Sequence, residues 1–187
     1  MHNIIKVVLK FDQPAWPKDL SGMIMIDPDF LLPEIWFRDV TGKTAPGEPA
    51  KAYAIGFTTS EYAKRIANMP KNEVIKKCVA QLDTIFSHLE TEHMAADVSD
   101  KSTLEDPKKI PKPSEAFLGG MFWDWNPDHH PYIGGGYASP KAKTHADLQD
   151  RFRLPYGEKK NIYFAGEATT LPGATTHSAL GSGIRAA

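Results

Sequence analysis

One cysteine in 187 residues, Cys78, rules out an internal disulfide as the brace of the fold. Long hydrophobic runs are missing too: nothing approaches the roughly 18 apolar residues that a spanning helix needs, so the chain reads as a soluble enzyme piece without a transmembrane segment. Neither sign of charge is in surplus. With 22 Lys and Arg against 23 Asp and Glu, the formal net charge is −1, and no block of like charge supplies a nucleic-acid footprint. No Asn-x-Ser/Thr acceptor points to secretion, and the opening Met-His-Asn-Ile-Ile-Lys reads as a strand instead of a signal peptide. Histidines include the pair His129-His130, with His93 and His145 elsewhere, yet His-Glu-x-x-His and paired Cys/His spacings for zinc are absent. Gly134-Gly135-Gly136 lacks the Lys-Ser/Thr of a P-loop, and Gly181-Ser182-Gly183 lacks the flanks of a nucleophile elbow.

What is present is an ordinary globular balance, 41% hydrophobic and 24% charged, in a chain long enough for one domain or one and a half. Ile5, Val7, Leu9 and Phe11 alternate with Ile4, Lys6, Val8 and Lys10, the period-two pattern of a strand with one buried face. Pro14, Pro17 and Gly22 punctuate a turn. Short strands are expected at Met23 to Ile26 and Ile35 to Phe37, a loop at 42–49, and an interior strand at Ala52 to Phe57. Ser60 with Glu61 starts a helix that Pro70 stops. From Asn72 the stripe Val74, Ile75, Cys78, Val79, Leu82, Ile85, Phe86 and Leu89 marks a longer helix whose apolar face is core. Residues 97–113, closing on Lys-Lys-Ile-Pro-Lys-Pro, read as an exposed connection.

Residues 161–187 carry the most chemistry. Ile162, Tyr163, Phe164 and Ala165 form a short apolar run closed by Gly166, as expected of a strand covered on both faces in a parallel sheet. Glu167 then stands at the carboxyl end of that strand, where ligands of open α/β sheets bind and where a carboxylate accepts hydrogen bonds from ribitol hydroxyls. A helix of small residues begins near Thr175 or Thr176. Its unpaired N–H groups and positive dipole end would face an electron-rich ligand atom.

Phe164 to Thr169, read Phe-Ala-Gly-Glu-Ala-Thr, together with the run from Thr175 to Ala187, resembles the carboxyl end of the flavin-containing amine oxidases, the family of monoamine oxidases, polyamine oxidases and lysine-specific histone demethylases. Ser178 stands where that family usually has glycine. Ile5-Lys6-Val7-Val8-Leu9-Lys10-Phe11-Asp12, followed by Trp16, is similar to the family's Asn-Lys-Val-x-Leu-x-Phe-Asp strand, whose lysine holds a water against flavin N5. Periodicity alone makes Lys6 a snorkelling surface residue, and the resemblance is what selects it over Lys10. The stretch Trp123 to Tyr137 resembles the family's Trp-x-x-Asp-Pro-Tyr and Gly-x-Tyr segment. By that likeness Tyr137 becomes one wall of an aromatic cage, with cation–π attraction for an amine. Read from its residues alone, the same stretch is a hairpin or bulge turning on three glycines.

The resemblance implies an α+β fold. A mixed-sheet substrate-binding domain with helices would occupy residues 1–118. Residues 119–187 would hold a flavin-facing segment with the last strand and helix of a Rossmann-like FAD-binding domain. The implied activity is FAD-dependent oxidation of an amine, polyamine-like or protein-lysine-like, by hydride transfer to flavin N5, giving an imine or aldehyde and hydrogen peroxide. Lys6, desolvated beneath the ring, and Tyr137 would be catalytic, while Trp125, Gly166, Glu167, Ala168, Thr175 and Thr176 would contact the cofactor. The family's Gly-x-Gly-x-x-Gly fingerprint is missing in context, since Gly181 to Ala186 matches it only in letters and lies inside a helix. A companion polypeptide or a missing amino-terminal half is therefore expected to carry it. Two other readings stand beside this one. The chain could be a non-catalytic structural or docking subunit, or an L-amino-acid oxidase needing an arginine for the substrate carboxylate. Among Arg38, Arg65, Arg151, Arg153 and Arg185, spacing singles out none.

Overall fold

A computed structural model describes residues 3–40, 51–93, 110–126, 128–138, 151–170 and 173–187, without the side chains of 88–93. The loop expected at 42–49, most of the connection expected at 97–113, His145, and the side chains of Leu89 and His93 lie outside the described residues. Two compact units emerge, Ile4–Asp124 and, with Met1–Asn3, Trp125–Ala187. The first unit closes after Asp124, the last residue of the strand Phe117–Asp124.

In the first unit, β1 (Ile4–Phe11) obeys its alternation: Ile5, Val7, Leu9 and Phe11 are buried, Lys6 is exposed, and Val8 and Lys10 are half-buried. β1 lies between β4 (Lys51–Thr59) and β5 (Phe117–Asp124). Outside β4 come β3 (Glu34–Val40) and then β2 (Gly22–Ile24), giving the order β2-β3-β4-β1-β5. Every pairing is antiparallel, which corrects the mixed sheet expected from the sequence. Register explains why. The chain leaves β4 where Thr59 faces Ile4 and enters β5 where Phe117 faces Phe11, so β5 must run against β1. β5 was not legible as a strand because Gly119 and Gly120 interrupt its apolar pattern.

Helices α1 (Ser60–Ala67), α2 (Lys71–His93) and the short α3 (Pro113–Ala116) accompany the sheet. Val74, Cys78, Leu82 and Phe86 of α2 join Ala63 and Ile66 of α1 and the inward residues of β1 in one core. Trp16 belongs to it, edge-on to Phe11 at 5.4 Å between ring centroids and 4.7 Å from Phe37. Leu32 lies so close over Gly56 that any Cβ at that position would collide with it. Gln81 fastens this loop to α2: its Oε1 accepts from the N–H groups of Leu31 and Leu32 at 3.0 and 3.1 Å, and its Nε2 donates to the Leu32 carbonyl at 2.8 Å. Between α2 and β5 an open groove of about 800 Å³ is lined by Ile75, Val79, Phe117 and Phe122.

The second unit is built differently. Residues 128–133 run through successive turns, His129 and His130 donating backbone N–H groups to the Asn126 carbonyl and Ile133 to that of His130, so the hairpin reading of this stretch is not met among the described residues. The strand expected at Ile162 to Ala165 is also absent. Ile162 makes a single bridge with Tyr156, and Ile162 and Tyr163 are exposed. A strand covered on both faces needs neighbours for its backbone groups, and the described residues offer only that bridge. A 3₁₀ turn (Glu167–Thr169) leads to α4 (Thr176–Ala186), which starts where the sequence placed it. Among the described residues no helix is long and apolar enough to cross a membrane, and no His, Cys, Asp and Glu group could hold a metal.

Replacing Gln81 by Leu strands two backbone N–H groups beside the core, and a loss of about 2 kcal/mol or more is expected in urea unfolding. Burial pushes the Cys78 thiol up from 9.0 to about 12. The native state thus keeps its proton longer than the unfolded chain, so this stabilisation is complete below pH 9 and is lost as pH rises from 9 towards 12. Iodoacetamide at neutral pH should leave Cys78 unmodified until denaturant is added; rapid labelling of the native protein would contradict this burial.

Candidate functional site

Outward from the core, the sheet carries a second face that no helix covers among the described residues of its unit. Register places Lys6 between Phe57 and Trp123, Val8 between Ile55 and Met121, and Lys10 between Tyr53 and Gly119, with Trp36 beside Ile55. The Lys6 ammonium lies 5.9 Å from the centroid of Phe57, within cation–π range. Met121, Trp123 and Trp36 are exposed on this face at 63%, 49% and 44%. An ammonium among aromatic and aliphatic surfaces is a setting in which one donor can hold a single polar atom or water while its surroundings repel bulk solvent. Phe57, Ile55 and Met121 were not singled out in the sequence, because their association with Lys6 depends on pairing between strands far apart in the chain.

In the second unit, the Glu167 carboxylate bonds the residues next in the chain to two sequence-selected positions, Tyr137 and Thr175. Glu167 Oε1 accepts from the N–H of Ala138, next to Tyr137, at 2.8 Å. Oε2 accepts from the N–H of Ala174, next to Thr175, at 2.7 Å. Gly166, at φ 129°, donates its N–H to Ser182 Oγ at 2.7 Å, and Ser182 Oγ donates on to the Ala179 carbonyl, so the turn is fixed to α4. Ala168 follows within the same 3₁₀ turn. Thr175 caps α4: its Oγ1 accepts from the Ser178 N–H at 3.1 Å. Tyr137 is half-buried, and Thr175 and Thr176 are exposed. Trp125 is half-buried at the start of the unit.

Arg185 is committed elsewhere. Its guanidinium donates to the carbonyls of Arg153 and Phe164 and to Thr169 Oγ1, so it stitches the carboxyl end of α4 to the chain before the turn. It is therefore poorly placed to clamp the carboxylate of an amino-acid substrate.

Thr176 and His177, both exposed residues, lie in the first turn of α4, where backbone N–H groups have no intrahelical partner. A Cβ built at Gly166, Gly181 or Gly183 would meet no atom within 4 Å, so a flat ring could approach the turn and the helix closely. Exposed donors beside uncrowded glycines fit the electron-rich edge of an isoalloxazine and the oxygens of its ribitol chain.

A model of the family described as flavin containing amine oxidoreductase matches residues 1–187. Cyclohexylamine oxidase from Brevibacterium oxydans IH-35A is a structural neighbour at a TM-score of 0.57 and 16% identity, the match covering 100% of this chain and 33% of that one. At that identity the likeness is one of fold, and this chain spans about a third of that protein's length. No curated protein matches the chain.

Thr175→Ala removes the cap, and α4 should lose about 1 kcal/mol. Amide exchange across Ala179 to Gly183 would report this as faster opening, whereas unchanged rates would show that the cap is dispensable.

Proposed function

Because the chain belongs to the flavin-containing amine oxidoreductase family, we propose that it forms the substrate-facing and ring-edge part of an FAD-dependent amine oxidase. The observation that supports this reading is the pair of hydrogen bonds by which Glu167, beside the Gly166 turn, holds both the chain next to Tyr137 and the chain leading into α4. Gly166, Glu167 and Ala168 would lie along the ribitol or pyrophosphate side of the cofactor, Thr175 and Thr176 at the pyrimidine edge, and Trp125 against the ring system. When bound, FAD would supply the hydride acceptor for the C–H bond beside the amine nitrogen.

The remaining chemistry falls to side chains of this chain. Lys6 would donate a hydrogen bond to a water held near the reacting carbon, and that water would be the one that hydrolyses the imine. Phe57 and Trp123, its cross-strand neighbours, would keep further solvent from that donor. Tyr137 would present its ring to the incoming amine, attracting the ammonium form and bounding the neutral form that reacts. A primary or secondary aliphatic amine, such as a polyamine or a protein lysine, suits the aromatic face that Tyr137 would present. We assign residues 1–118 largely to a substrate-binding domain and the remainder to the flavin-facing segment of a Rossmann-like domain. The phosphate-binding Gly-x-Gly-x-x-Gly turn is assigned to polypeptide outside residues 1–187.

In the complete protein, Lys6→Met should slow flavin reduction or reoxidation by roughly 10²-fold, in the range of a lost proton-handling group, followed as bleaching and recovery of the yellow band by stopped flow. Since Lys6 is exposed, the unfolding midpoint should stay where it was. Unaltered flavin kinetics would remove Lys6 from the mechanism, and a preparation without a flavin spectrum would favour a structural subunit.

A further inference from the structure

We propose that Glu167 is a positioning residue: its carboxylate clamps the loop carrying Tyr137 to the cap of α4 and so sets the distance between them, instead of serving the cofactor as a direct side-chain ligand. The two bonds are short and each uses a different oxygen, Ala138 N–H to Oε1 at 2.8 Å and Ala174 N–H to Oε2 at 2.7 Å. They reach across 29 and 7 residues of chain, so neither is a local turn contact. Among the described residues Glu167 forms no ion pair, and these two amides are the partners its charge is turned towards. Charged acceptors make the stronger hydrogen bonds, which favours a carboxylate for holding two otherwise independent loops.

Two backbone features support a clamp. Ala174 sits at φ 61°, the left-handed region that a residue with a Cβ adopts reluctantly, and its N–H is the one Glu167 holds. On the other side, Glu167 itself cannot drift. Gly166 is bonded to Ser182 within α4, and Thr169 bonds back to the Gly166 carbonyl through both its N–H and its hydroxyl. A fixed base with two arms is thereby joined to one strained turn and one glycine-rich loop. The functional meaning rests on the reading of Tyr137 and Thr175 as flavin-facing; the clamp itself does not.

Amide hydrogen exchange on the complete protein without FAD tests the clamp separately from the flavin reading. In Glu167→Ala, exchange at both Ala138 and Ala174 should accelerate roughly tenfold or more, while Ser182 and Gly183 in α4 keep their rates. Glu167→Gln retains one carbonyl acceptor and turns an NH₂ towards the other amide, so only one of the two should accelerate; this milder variant serves if the alanine protein does not fold. Unchanged exchange at both amides in either variant overturns the proposal. A second arm uses FAD affinity: Ala174→Gly adopts the left-handed turn freely, so adding it to Glu167→Ala should restore part of any lost affinity. A complete lack of rescue, with affinity lost, would mark Glu167 as a direct ligand and end the positioning role.

Discussion

The structure rests on the interior strand β1 being pinned on both sides with its apolar alternation turned one way. Side chains in a strand repeat every two residues, so a slip of one residue against β4 or β5 would drive Lys6 and Lys10 into the core and push Val7 and Leu9 out. Burial of Ile5, Val7, Leu9 and Phe11 against α2 forbids that slip. The position of the Lys6 ammonium is thus a by-product of hydrophobic packing on the opposite side of the sheet. A residue with little stabilising work of its own is aimed by four that have a great deal.

The two units keep their shapes by different means. Ile4–Asp124 has a continuous apolar core under a sheet, whereas Trp125–Ala187 is held largely by specific hydrogen bonds among turns, with Leu180, Ile184 and Tyr163 left exposed. Hydrogen bonds of that kind contribute modestly each but fix direction closely. That is the property required of a surface meant to present backbone donors at set spacing, and less so of a scaffold.

How much of this could be read from the sequence follows from the same contrast. β1, α1, α2 and the onset of α4 were legible because their signals are local: alternation, a 3.6-residue stripe, a stopping proline, a capping threonine. β5 was hidden by Gly119 and Gly120, and the antiparallel arrangement depends on which end of the sheet the chain returns to, which no window of residues records. Ile162 to Ala165 carries the composition of an interior strand without neighbours in the described residues to make it one. Glu167 was found through its motif, but its partners at Ala138 and Ala174 contribute only main-chain atoms and leave no trace in residue identity.

β5 borders the sheet, with β1 on one side and, among the described residues, no strand on the other. Phe117, Gly119, Gly120 and Phe122 of this strand line a groove shared with Ile75 and Val79 of α2. Such a margin is an adhesive template, able to recruit any extended segment that offers the complementary ladder. Held at high concentration, the chain would accordingly be prone to self-association along this rim, and low protein concentration becomes a condition for handling it.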